Sequence, residues 1–146
     1  MKVICLCGKA KSGKTLTIKM IFSEIREKGK ILYPDNLKKN EGDDFVAVVQ
    51  VGVRRIGFIS AGDSERNVKT GYEKIRPFNC DVVVRAARSK GITRRPDEEK
   101  DADVLLIKKP YLDIEESKRN TFYESCCNAI NEHTARYVIT EIMENN

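Results

Sequence analysis

The chain has 146 residues, a length that suits one domain over 1–146 and leaves little room for two independent cores. Apolar residues make up 40% and charged residues 34%, enough for a core under a heavily ionised surface, and a net charge of +5 suits an anionic ligand as well as plain solubility. No apolar run approaches the roughly 18 residues of a membrane span, and the apolar start at 3–7 gives way to a polar, basic stretch with no cleavage site, so a cytoplasmic chain is expected.

Residues 3–7 form an apolar run ending in glycine and read as a buried strand. Residues 8–15 are a loop that opens a helix carrying Leu16, Met20, Ile21 and Ile25 on one face, with Gly29 as its stop. Residues 33–44, with Pro34, Gly42 and several Asn and Asp, read as a loop. Valine-rich 45–51 and the run 53–60, separated by Gly52, read as an antiparallel hairpin. Asp63 or Ser64 can cap a helix that bears Val68, Tyr72 and Ile75 and ends near Pro77. Residues 81–87 read as another buried strand, interrupted by Arg85. Residues 88–101 are a charged loop or lid, and 103–108 a further strand. A helical stretch carrying Phe122, Cys126, Ala129, Ile130, His133 and Tyr137 follows, with a break near Thr134 before 138–143. Alternating strands and helices imply a three-layer α/β architecture with a mostly parallel sheet, to which the hairpin adds one antiparallel edge.

The five cysteines are odd in number, show no C-x-x-C spacing, and have only His133 as a histidine companion. That pattern argues against a disulfide framework and against a zinc site, and leaves buried or semi-buried structural thiols as the reading.

The chemistry concentrates in Gly8-Lys9-Ala10-Lys11-Ser12-Gly13-Lys14-Thr15, which matches G-x-x-x-x-G-K-[ST] at every fixed position. Gly8 lets the chain leave the strand through torsions closed to other residues. Gly13 lets backbone N–H groups approach phosphates closely, and with the helix N-terminus these groups make an anion nest. Lys14 reaches the β- and γ-phosphates, and the Thr15 hydroxyl binds magnesium. The segment also follows a predicted strand and opens a predicted helix, the context the motif demands.

On these residues the chain resembles the P-loop nucleoside triphosphatases, and the resemblance covers its whole length. It implies a P-loop fold, a nucleoside triphosphate and Mg2+. The family also implies an Asp at the end of a strand beside the first, holding magnesium through water. Asp63, after Ile56-Gly57-Phe58-Ile59-Ser60-Ala61-Gly62, is the candidate, Ser60 a weaker one, and a helix cap the alternative role for Asp63. Cys80-Asp81, Arg88, Gly91 and Thr93 complete a C-D-x6-R-x-x-G-x-T run. Together with the Gly62-Asp63 pair, this run resembles small bacterial P-loop proteins to which no reaction attaches. Strand ends at the carboxyl edge face the ligand, so Arg88 either meets a phosphate or stays a solvated surface arginine. With the first strand central between 56–60 and 81–87, Asp63 and Arg88 come close to the γ-phosphate, where they join Lys14 as the catalytic candidates.

Arg94 and Arg95 sit in a mixed-charge stretch that reads as a solvated loop, or else as a lid closing over phosphates. No N-K-x-D motif follows a later strand, where Lys108-Lys109-Pro110-Tyr111 stands instead, and no D-x-x-G follows Ser60. ATP is therefore the default nucleotide. Acidic residues are mixed through the basic stretches, which argues against nucleic acid. No motif names a protein partner or an oligomer. The readings that stand are an ATP-binding protein with Mg-dependent hydrolysis, a small-molecule kinase recruiting Asp35, Asp43 or Asp44 as base, and a nucleotide-dependent regulatory or assembly module with little turnover.

Overall fold

The computed structural model describes residues 1–34, 44–89 and 96–144. In chain order the elements are β1 (Lys2–Gly8), α1 (Lys14–Glu27), β2 (Lys30–Tyr33), β3 (Val46–Val51), β4 (Arg54–Ile59), α2 (Glu65–Ile75), β5 (Val82–Arg88), β6 (Asp103–Lys108) and α3 (Tyr123–Glu144). The six strands form one mixed sheet in the order β2-β3-β4-β5-β1-β6. The pairs β4–β5, β5–β1 and β1–β6 are parallel, while β2–β3 and β3–β4 are antiparallel.

Two expectations about this sheet are corrected. The β3–β4 hairpin is not an edge, because β2 adds outside β3. Strand β2 has only four residues, too few to show a period, and lies partly inside the segment read as a loop. The first strand is not flanked by 56–60 either: β1 lies between β5 and β6, with β4 one place further out.

The alternation of side chains across each strand divides the core into two clusters. On one face Ile4, Leu6, Phe58, Val82 and Val84 meet α1 and α3 through Ile18, Ile21, Phe22, Ile25, Val138 and Ile142. On the other, Val3, Val48, Ile59 and Val83 meet Val68, Tyr72 and Ile75 of α2. Three layers result, as the pattern predicts. The helix stripe differs: Leu16 is half exposed, and α1 buries Ile18 and Phe22 instead. Helix α3 runs unbroken through Thr134, whose Oγ1 donates to Ile130 O at 2.8 Å, so its polar group is satisfied inside the helix. Its first half is solvent-facing, with Cys126 exposed, as is Phe122 just before the helix. Cys126 therefore departs from the buried or semi-buried thiols expected, whereas Cys5 and Cys7 are buried in β1. Among the described residues no helix is long and apolar enough to cross a membrane.

The charged stretch before β6 is not simply solvated. A 3-10 turn at Asp97–Glu99 lays Glu99 against the sheet with no exposure at all. Its carboxylate takes the Arg85 guanidinium in a two-pronged ion pair, Oε1 with Nε and Oε2 with Nη2 at 2.9 Å, and accepts the Tyr72 hydroxyl at 2.7 Å. The buried charge of β5 thus finds its counter-charge on the segment that leads into β6. Arg94 and Arg95, the proposed lid arginines, lie outside the described residues, as do Asp35 and Asp43.

Candidate functional site

Strands β4, β5, β1 and β6 run the same way, so their carboxyl ends share one edge of the sheet. Gly8 sits level with Arg88 across β1–β5, and Cys7 level with Lys108 across β1–β6. The chain leaves β1 at Gly8 and turns through Lys9, Ala10, Lys11 and Ser12. It enters α1 after Gly13, whose φ of 83° belongs to the left-handed region that glycine tolerates. Lys11 shares that region at φ 61°. Gly8 itself is extended strand rather than a torsional outlier, which corrects the reason expected for it. Its lack of a side chain leaves room for Ser12, whose Oγ would lie 2.8 Å from a Cβ there.

Two lysines hold this loop from inside. Lys14 is 7% exposed, and its Nζ donates to Gly8 O at 2.6 Å and to Lys9 O at 3.3 Å. Lys109, directly after β6, is 5% exposed, and its Nζ donates to Ser12 O at 2.6 Å and to Pro110 O at 3.1 Å. Among the described residues neither ammonium has a carboxylate within ion-pair distance. Burial pushes the Lys14 pKa below the ordinary lysine value; nearby Asp63 opposes the shift and Arg88 adds to it. Burial lowers the Lys109 pKa too, with Lys14 adding to the effect and Cys127 opposing it. Ser12 Oγ is buried with no hydrogen-bond partner among the described residues. The N-cap Gly13 gives α1 no side-chain cap, and the first turn of that helix carries no acid. The first intrahelical bond runs from Thr17 N to Gly13 O at 2.9 Å, so the N–H groups of Lys14, Thr15 and Leu16 face out of the helix end. These features together make a cationic cradle with donors aimed into it, which fits a phosphate group.

Asp63 and Arg88 do come together. Arg88 Nε donates to Asp63 Oδ1 at 3.2 Å, with both side chains about half exposed. Gly62 makes the approach possible, because a Cβ there would lie 2.1 Å from Ala86 O of β5. Asp63 is not the helix cap: Ser64 is, its Oγ accepting Asn67 N–H at 3.2 Å. The carboxylate beside Thr15 is a different one. Thr15 Oγ1 donates to Asp44 Oδ1 at 3.1 Å, and Ser60 Oγ donates to the same oxygen at 3.1 Å while accepting Phe45 N–H at 2.7 Å.

Sequence reasoning missed Lys109 and Asn131 at this site and gave Asp44 another role. Asn131 of α3 lies against Gly13, its Oδ1 2.8 Å from where a Cβ would be. A signal for Lys109 existed in its place after a strand predicted to end on the ligand edge; Asn131, deep in a helix from the far end of the chain, had none. A cavity of about 370 Å³, lined by Tyr72, Ile75, Arg76, Cys80, Val83 and Glu98 among others, lies at the opposite, amino end of the parallel strands. It is therefore separate from the loop. Among the described residues no three His, Cys, Asp or Glu side chains gather as a metal cluster. Among the described residues, the oxygens joined at the start of α1 are the Thr15 hydroxyl, the Asp44 carboxylate and the Ser60 hydroxyl. Comparison with protein-family models, with curated proteins and with solved structures finds no match.

Proposed function

We propose that this chain is a P-loop protein that binds a nucleoside triphosphate, ATP by default, with its phosphates on residues 8–15, and hydrolyses it with magnesium. The observation that carries the reading is the pair of buried ammoniums, Lys14 and Lys109. Both donate to backbone carbonyls of one loop, and neither is ion-paired among the described residues. A buried cation without a counter-charge is costly, and a polyphosphate supplies one. Lys14 contacts the terminal phosphates, Lys109 fixes the loop from behind, and backbone N–H groups of 13–16 line the rest. Magnesium, when bound, neutralises charge on the terminal phosphates. Thr15 would hold it.

In hydrolysis, water attacks the γ-phosphorus, the bond to the β–γ bridging oxygen breaks, and ADP and phosphate leave. Arg88 sits level with Gly8 and can offset charge developing on the transferred group. Calorimetric titration with ATP tests the reading: Lys14→Ala should lose ~1.5–3 kcal/mol of binding, the worth of a charge-assisted contact. Equal affinity in a folded variant removes the loop from the site.

The ion pair between Arg88 and Asp63 favours a second reading, a nucleotide-binding module with slow turnover, because both groups already engage one another. Phosphate release separates the two. Multiple turnovers without a partner support the hydrolase; binding with no release supports the module.

A further inference from the structure

We infer that Asp44, and not Asp63, is the carboxylate that holds the divalent cation of the bound nucleotide, beside the Thr15 hydroxyl. This rests on the nucleotide reading above. Magnesium at such a site takes hard oxygen ligands, one or two carboxylates together with phosphate oxygens. The hydroxyl that the motif assigns to the cation is Thr15 Oγ1, and Asp44 Oδ1 lies 3.1 Å from it. Asp63 is committed elsewhere, in its ion pair with Arg88 at 3.2 Å.

The placement of Asp44 is built. Strand β3 is antiparallel to β4, and Val46 stands opposite Ile59, so the start of β3 lies on the edge where β4 ends. Phe45 and Ser60 are tied twice there, Ser60 N to Phe45 O at 3.0 Å and Phe45 N to Ser60 Oγ at 2.7 Å. The Phe45 ring packs on Phe22 of α1 with centroids 5.2 Å apart, which fixes the start of β3 against the helix that carries Thr15. Ser60, directly after the apolar run of β4, stands where a strand-end acid would, and its hydroxyl donates to Asp44. The acid therefore comes from the neighbouring strand, with Ser60 orienting it.

The test uses the full chain and a non-hydrolysable ATP analogue, titrated by calorimetry with Mg2+ and with chelator, in wild type, Asp44→Asn and Asp63→Asn. Magnesium should raise wild-type affinity. Asp44→Asn should bind the analogue in chelator at least as tightly as wild type, yet lose tenfold or more of the magnesium enhancement. Asp63→Asn should keep that enhancement. Binding of Mn2+ to the analogue complex, read by loss of the free-ion paramagnetic resonance signal, should weaken in Asp44→Asn alone. Full enhancement in Asp44→Asn, loss confined to Asp63→Asn, or wild-type binding with no magnesium effect each overturns the assignment while leaving nucleotide binding intact. No binding of the analogue by wild type under either condition overturns the nucleotide reading and this assignment with it.

Discussion

Replacing Glu99 by Gln keeps its volume and removes its charge, leaving Arg85 as an unpaired cation whose side chain is 8% exposed. Breaking a buried pair from one side costs ~3–5 kcal/mol, because the remaining charge has lost both water and partner. For a chain of this length about 3 °C of melting temperature accompanies each kcal/mol, so the midpoint should fall by roughly 10–15 °C. The Tyr72 hydroxyl shares the same carboxylate, so the complementary experiment must treat all three groups. Arg85→Met with Glu99→Leu alone would leave a buried hydroxyl without an acceptor, at ~1–3 kcal/mol. Adding Tyr72→Phe removes that penalty, and the triple variant should lie within about 2 kcal/mol of wild type, since well-packed apolar groups replace buried pairs at little net cost. Urea unfolding is the assay, with the slope checked so that midpoint differences report stability. A Glu99→Gln loss under about 1 kcal/mol, at unchanged slope, refutes the argument, because the pair would then be solvated.

The other predictions concern the edge where the parallel strands end. Ser64→Ala should cost about 1 kcal/mol of stability in urea by removing the cap of α2, whereas Asp63→Asn, at a half-exposed ion pair, should leave the midpoint nearly unchanged. Because burial lowers the folded-state pKa of Lys14, the folded chain gives up that proton at lower pH than the unfolded chain. As pH rises through the window below the ordinary value of 10.5, ligand-free stability should therefore gain from Lys14 while ATP affinity falls. Lys14→Met should flatten its share of both trends, and parallel trends in the variant would contradict the assignment.

What was legible in the chain was local. The loop 8–15 is one contiguous segment between an apolar run and a helical one, so its place between the end of β1 and the start of α1, with a glycine at the helix entry, was readable. The runs of β1 and β5 are buried on both faces, and showed as an unbroken apolar stretch in β1 and as one broken only by Arg85 in β5. The α1 stripe was ambiguous because Leu16 and Met20 stand four apart just as Ile18 and Phe22 do. The turn at Gly13 sets which pair faces the sheet, and no count of apolar residues holds that information. Glu99 was hidden by its neighbours, since Asp97, Glu98, Lys100 and Asp101 make an ionised run. Arg85 inside an apolar strand was the available signal, for a charge placed there needs a partner from elsewhere in the chain.

Asp44 shows why the nonlocal part of a site resists linear reading. An acid at the end of an apolar run is the residue to inspect where all strands are parallel, because only carboxyl ends then reach that edge of the sheet. Once a hairpin places an antiparallel strand in the sheet, that strand reaches the same edge with its start, and the residues to inspect are those before it. The hairpin of β3 and β4 was itself readable from the valine-rich runs around Gly52. Its consequence follows from direction alone: Phe45 lies beside Ser60, and the residue before Phe45 beside the first turn of α1. On this edge the carboxylate beside Thr15 comes from the start of one strand, and the end of the next supplies a second hydroxyl that donates to it.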